Sequence, residues 1–333
     1  MNSMMSAWFL TLLAHVATAT REDGENALLQ TQSSFMLAPR VAVYLQVGTN
    51  DEEIWGEMYT CISNVAKSHT HQVDVYLSTV VDSHDETGFY YQNLSDIDGV
   101  SKVMVQELKN QGADVGQFFQ QLLATDIGGY QAVLKIHTKT KRYWRQYMLE
   151  SLCGTPNTAK AAIEYFQTHQ EVGIIGPSAL TQFGRDSNYI YGSLFCKLLE
   201  CNDGDPEYRQ IFGLENLDAM SWCWKVMTDS DELPAPEMWT IIAGDMFWVR
   251  GACLNTQRFF RSIPTLINNM TEGYVEGSFG KPEHAMERWI PTLVRYDGWV
   301  VADMAPKTSK TASKTASETT SETNPSNVQF TRY

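Results

Sequence analysis

The tightest constraint on this chain is an alternation of short apolar runs with segments of helical spacing between Val41 and Gly176. Val41–Val47, Val73–Val80, Val100–Val105, Ala132–Thr138 and Val172–Gly176 are rich in Val, Ile and Leu and short enough to be strands. Between them, a cap at Asn50 or Asp51 starts a helix through Lys67, with Ile54, Met58, Cys61, Ile62 and Val65 near helical spacing. Further helices are predicted over Val115–Ala124, capped by Asp114, over Tyr143–Leu152, and over Ala159–His169, capped by Asn157. Strands joined by helical crossovers lie parallel and carry helices on both faces. The predicted fold is α/β: a doubly wound, mostly parallel, Rossmann-like sheet in a single domain over residues 41–305. Downstream, Ser187–Met227 reads as an aromatic helical insertion over the site. Thr240–Arg250 and Trp299–Ala302 read as strands, and Pro282–Val294 as a helix with Pro in its first turn.

The two ends differ from this body. Residues 1–19 read as a signal peptide or a short signal anchor. Ala7–Ala19 is apolar or small, Ala17-Thr18-Ala19 fits a cleavage site, and the run is short for a membrane span. Residues 20–40 read as an irregular lead-in. Residues 306–333 read as a disordered Ser/Thr-rich tail, because Lys307–Asn327 has no large apolar side chain to offset the entropy of ordering. These ends point to the secretory pathway, in the ER or Golgi lumen, or to secretion. Membrane contact follows only if the N-terminal segment is retained. Asn93-Leu94-Ser95 and Asn269-Met270-Thr271 are acceptor triplets for glycosylation in that compartment. The six cysteines contain no Cys-x-x-Cys pair; they allow 15 disulfide connectivities or serve as small buried hydrophobes.

The net charge of −14, from 25 Lys and Arg against 39 Asp and Glu, excludes a protein that coats nucleic acid or anionic membranes. Against that background Lys135, Lys139, Lys141, Arg142 and Arg145 crowd into 11 positions with His137 and no acid. A diphosphate group needs such a site, with charge-assisted donors and the N-terminus of a following helix. Trp144 adds an aromatic platform for a sugar or base. The plainer alternative is a solvated basic face behind a core strand. Lys135 and His137 share one strand face, so in a central strand both are buried and need partners.

Asp245 lies in an apolar stretch, Ile241–Val249. A carboxylate there is paired, metal-bound, or at the strand's exposed end, and Gly244 permits close approach. Asp245 then binds the acceptor or a divalent ion, or serves as a base; otherwise it caps a turn or pairs with Arg250. In Glu283–Arg288, His284 and Glu287 stand three apart and can converge, as a general base and its orienter would. The plainer alternative is a surface helix with ordinary ion pairs. Asp96-Ile97-Asp98 and Asp203-Gly204-Asp205 sit in polar, loop-like contexts, so a metal requirement stays open.

In one order along the chain stand Lys135-Ile-His-Thr-Lys139, Trp144-Arg145, Leu152-Cys-Gly154, Val172-Gly-Ile-Ile-Gly-Pro177, Ala243-Gly-Asp-Met-Phe-Trp-Val-Arg250 and His284-Ala-Met-Glu-Arg288. From Val41 to Trp299 this pattern resembles the rhamnan synthesis protein F family, glycosyltransferase-like proteins of polysaccharide assembly. The resemblance implies a glycosyltransferase A-type fold and transfer of a sugar from a nucleotide-sugar donor to a glycan acceptor. It assigns Lys135, His137, Thr138, Lys139, Trp144 and Arg145 to the donor, and Gly244, Trp248 and Arg288 to the acceptor side. Glu287 is the expected base, oriented by His284 or Arg288, with Asp245 second. No cofactor is fixed; a divalent cation, Mn2+ or Mg2+, has a place at Asp245. Two other readings stand beside this one: a glycan-binding protein with a transferase-like fold and no turnover, and a metal hydrolase using His137, His284 and Glu287.

Overall fold

The β-rich runs become strands because their side chains have nowhere to go but inward. All seven side chains of β1 (Val41–Val47) are buried. Beside it run β2 (Val73–Val80), β3 (Val100–Leu108) and β4 (Ala132–His137). The structure, a computed structural model, describes residues 40–68, 72–80, 84–183, 217–235, 238–273, 280–306, 322–323 and 328–333. The expectations for the N-terminal segment, for the insertion up to residue 216 and for most of the tail lie outside the described residues. Arg40–Tyr333 is one compact unit.

One nine-stranded sheet organises that unit, in the order β10-β11-β9-β5-β8-β4-β1-β2-β3. Its remaining members are β5 (Val172–Pro177), β8 (Phe247–Val249), β9 (Val300–Pro306), β10 (Glu322–Thr323) and β11 (Val328–Arg332). β1 pairs parallel with both β2 and β4, β2 with β3, and β5 with β9. β8 runs antiparallel between β4 and β5, and β11 antiparallel to β9. The sheet is mostly parallel in direction and compatible with a Rossmann-like fold. A separate antiparallel ladder joins β6 (Thr181–Phe183) to β7 (Thr240–Ile242).

Strand alternation sorts the core into two layers. Val41, Val43, Leu45 and Val47 face α1 (Glu52–Ser68), α2 (His84–Ser95), α4 (Arg142–Cys153) and α5 (Pro156–Thr168). Ala42 and Tyr44 face α3 (Ala113–Leu123), α6 (Leu217–Thr228), α8 (Gln257–Asn269) and α9 (Pro282–Tyr296). A four-residue helix, α7 (Gly251–Leu254), follows β8. Helices on both faces are what a doubly wound sheet requires. Among the described residues no helix is long and apolar enough to cross a membrane.

Four expectations are corrected. Thr240–Arg250 is two strands rather than one, because Gly244 (φ 89°) and Asp245 (φ 54°) are both left-handed and turn the chain between β7 and β8. The cap of α5 is Thr155, whose hydroxyl accepts from the Thr158 N–H at 3.1 Å. Pro156 takes the first helical position, so the cap must precede it rather than fall on Asn157. α3 is capped at Gly112 without a side-chain bond, and Asp114 is turned elsewhere. The last residues belong to the sheet: Val328 and Phe330 alternate inward, 1% and 2% exposed, and β11 pairs with β9 on one side and β10 on the other.

A disulfide joins Cys61 on α1 to Cys153 at the end of α4. Cys223 and Cys253 are buried free thiols.

Candidate functional site

β1, β2 and β3 step outward on one side, while β4 pairs with the other side of β1. The order therefore reverses between β1 and β4, and ligands of open α/β sheets bind at that reversal, outside the carboxyl ends of the strands. There the loop after β4 is tied to the loop after β1. The Gly48 N–H donates to Thr138 Oγ1 at 2.8 Å, and the Thr138 N–H to the Gln46 carbonyl at 3.0 Å.

Lys135 and His137 do share a face of β4, and both are buried. The Lys135 side chain has no exposure. Its ammonium donates to the Asp114 carboxylate at 2.7 Å and to the Asp245 carbonyl at 2.8 Å, and lies 2.7 Å from Asp245 Oδ2. The rings of Phe118 and Phe247 flank it at 5.5 and 5.8 Å. His137 Nδ1 lies 3.1 Å from the same Asp114 oxygen. The left-handed Gly244-Asp245 turn brings both the carbonyl and the carboxyl of Asp245 onto one ammonium. Gly244 is required there, since a Cβ would stand 2.7 Å from Trp144 Nε1 and from Met148 Sδ.

The environment separates the two carboxyls. Burial pushes Asp245 well above the usual carboxylate range, and the charges of Asp114 and Glu287 add to burial against the pull of Lys135. Burial opposes ionisation of Asp114 as well, yet His137 and Lys135 hold it well below that range. The two carboxyls outweigh burial at Lys135 and hold its ammonium above the usual lysine value. Burial holds the His137 imidazole below its ordinary value, against the charge and hydrogen bond of Asp114. Asp245 is 1% exposed, and its Oδ1 has no hydrogen-bond partner among the described residues.

Asp114 escapes the sequence reading because Asp ahead of an apolar run looks like a cap. A signal was present. Asp114, Gln117 and Gln121 stand three and four apart in a largely apolar helix, on one stripe. That stripe lies over the strands: Gln46 Nε2 donates to Gln121 Oε1 at 2.7 Å, and Ser78 Oγ to Gln117 Oε1 at 3.0 Å.

Lys139 is half-buried, with its ammonium 4.0 Å above the Trp144 ring. Burial lowers its pKa, while Glu287, Asp114 and Asp245 oppose the shift. Glu287 of α9 is half-buried and acts on the charge of both Lys139 and Asp245. Strand β4, the β7–β8 turn, α3 and α9 thus converge at one place.

Other expected residues stand apart from it. The Arg145 guanidinium is held by the Glu57 carboxylate and by the carbonyls of Lys139 at 2.5 Å and Thr140 at 3.4 Å, so it shapes the loop rather than facing a donor. Trp248 is fully buried and donates to the Leu152 carbonyl at 3.0 Å. Alternation along β8 turns Phe247 and Val249 to the site's layer and Trp248 to the other, which removes Trp248 from any acceptor surface. Arg288 is buried and donates to the carbonyl of His284, one turn back on its own helix; His284 is half-buried. Arg250 does not pair with Asp245; it donates to the carbonyls of Val172 and Phe166 at 3.1 and 2.8 Å. Asn269 is exposed at the end of α8, whereas Asn93 is half-buried within α2.

A divalent ion does not fit as the site stands. Lys135 already occupies the point between the Asp114 and Asp245 carboxyls, and among the described residues no group of three or more His, Cys, Asp or Glu side chains is placed to hold a metal. Compared with protein-family models and with curated proteins, the chain finds no match in either.

Proposed function

We propose that this protein transfers a sugar from a nucleotide-activated donor to a glycan acceptor in the secretory pathway, on a glycosyltransferase A-type version of its sheet. This follows the resemblance to the rhamnan synthesis protein F family. The observation that carries it is Lys139 over Trp144 at the β1–β4 reversal, within electrostatic reach of Glu287. In sugar transfer the bond from the anomeric carbon to the donor phosphate oxygen breaks, and a bond to the acceptor oxygen forms. The departing diphosphate gains negative charge, and the acceptor hydroxyl loses a proton. Lys139 supplies charge to the first, with Lys141 and the N-terminus of α4 beside it. Glu287 takes the second. Lys135 sits too deep to touch a phosphate, so it acts by holding Asp114 and the Asp245 turn in place. The Cys61–Cys153 disulfide and the exposed Asn269 triplet support an oxidising, glycosylating compartment.

The test is release of nucleoside diphosphate by the full chain from a panel of nucleotide sugars with glycan acceptors. Turnover with one donor, lost in Glu287→Gln and Lys139→Ala, supports the reading. A fully active Glu287→Gln overturns the base assignment, and no turnover with any donor overturns transfer. One observation favours the glycan-binding alternative: Lys135, the first cation of the basic island, is spent inside the protein. Thermal stabilisation by free glycans but by no nucleotide would select it.

A further inference from the structure

Lys135 has the surroundings of a bound cation. Its ammonium meets Asp114 Oδ2 at 2.7 Å, Asp245 Oδ2 at 2.7 Å and the Asp245 carbonyl at 2.8 Å, and its side chain is wholly buried. Carboxylate and carbonyl oxygens converging on one point are the donor set of a hard divalent cation. His137 Nδ1, 3.1 Å from the shared Asp114 oxygen, lines the same place. The turn that delivers two of these oxygens has Asp245 at φ 54°, a conformation uncommon outside glycine and costly for most residues. Asp is one of the few side chains that take this conformation readily, and taking it here brings the Asp245 carbonyl and carboxyl together on Lys135.

We infer that Lys135 is the resident cation of a metal-type site. It takes the place of a divalent ion between Asp114 and Asp245, so the native site binds no such ion, and removing the lysine side chain opens one. The inference concerns cation binding alone and does not rest on sugar transfer; loss of either idea leaves the other standing. Lys135 is a positioning residue here, since it touches no substrate. The oxygen distances also set an order of preference. Ca2+ takes oxygens at about 2.3–2.6 Å and Mg2+ at about 2.0–2.1 Å, so a site shaped for an ammonium contracts less around Ca2+.

The experiment compares thermal unfolding of the full chain, of Lys135→Ala and of Lys135→Ala with Asp245→Asn, each in EDTA and in millimolar CaCl2 or MgCl2. The expected result is no ion-dependent shift for the native chain and a rise of roughly 5 °C for Lys135→Ala, larger with Ca2+. Adding Asp245→Asn should abolish the rise. A merely structural lysine would give the same shift in native chain and variant. Three outcomes overturn the inference: a native chain stabilised by the ion through Asp245, a folded Lys135→Ala that ignores the ion, or a Lys135→Ala chain that the ion does not return to the folded state. In the last case Lys135→Gln is the control. Its amide fills much of the space without charge, so a folded Lys135→Gln shows that space and not the cation holds the site.

Discussion

At the residue scale the site is a problem of charge burial. Lys135, Asp114 and Asp245 are tolerable inside only together, since each supplies what another loses from water. Lys135→Met removes the cation and leaves two carboxyls facing one another, at a cost of about 3–5 kcal/mol, read from urea unfolding. Glu287→Gln makes the opposite kind of change. Glu287 is half-buried, so the variant should keep its unfolding midpoint; under the proposed sugar transfer, nucleoside diphosphate release should fall about 10²-fold or more, the usual loss for a general base. Much of this was legible in sequence. Lys135 and His137 had to share a face, and a carboxylate among Ile241–Val249 had to find a partner. What hid the answer was three-dimensional. The partners belong to different stretches of chain, and a helix-capping preference and a buried ion pair ask for the same residue, Asp114. Trp248 was misassigned for the converse reason: a block of letters that resembles a family's says nothing about which side of a strand a residue takes.

At the element scale, periodicity identified the parallel strands and most helices to within a few residues, because β1, β2, β4 and β5 are buried runs bounded by polar turns. It missed β11, whose two inward residues follow a long Ser/Thr-rich stretch and are too few to stand out. Thr155→Ala should cost about 1 kcal/mol by chemical unfolding, the usual worth of an N-cap, whereas Asn157→Ala should cost little. β9 and the chain's end carry a pH-dependent contact. Asp303 is 3% exposed and accepts from the Tyr333 hydroxyl at 2.9 Å; burial pushes its carboxyl up to about 7 from 3.8. A folded-state value above the unfolded one means the protonated form is favoured by folding. Its contribution is therefore complete below the unfolded value and is lost as pH rises through the folded one. Thermal midpoints at pH 4.5 and 8 should converge in Asp303→Asn relative to the native chain, once shared trends are subtracted.

At the scale of the whole molecule, the Cys61–Cys153 bond, 92 residues apart in sequence, closes a loop holding β2, β3 and β4. Reduction should lower global stability by about 2–5 kcal/mol, measured as a fall in urea midpoint with dithiothreitol, and Cys61→Ser should mimic it. β8 acts over a similar range. It is three residues long, and among the described residues it alone joins the β1–β4 side of the sheet to the β5–β9 side, through Val133 and Ile174 opposite Val249. During synthesis β4 and β5 leave the ribosome long before β8 exists, and each presents a bare strand edge until it arrives. Bare edges invite pairing with other chains. A chain interrupted before residue 247 should thus hold the β1–β4 part of the sheet and a solitary β5, since both β8 and β9 lie downstream, and chaperones that bind such edges would govern how much protein folds.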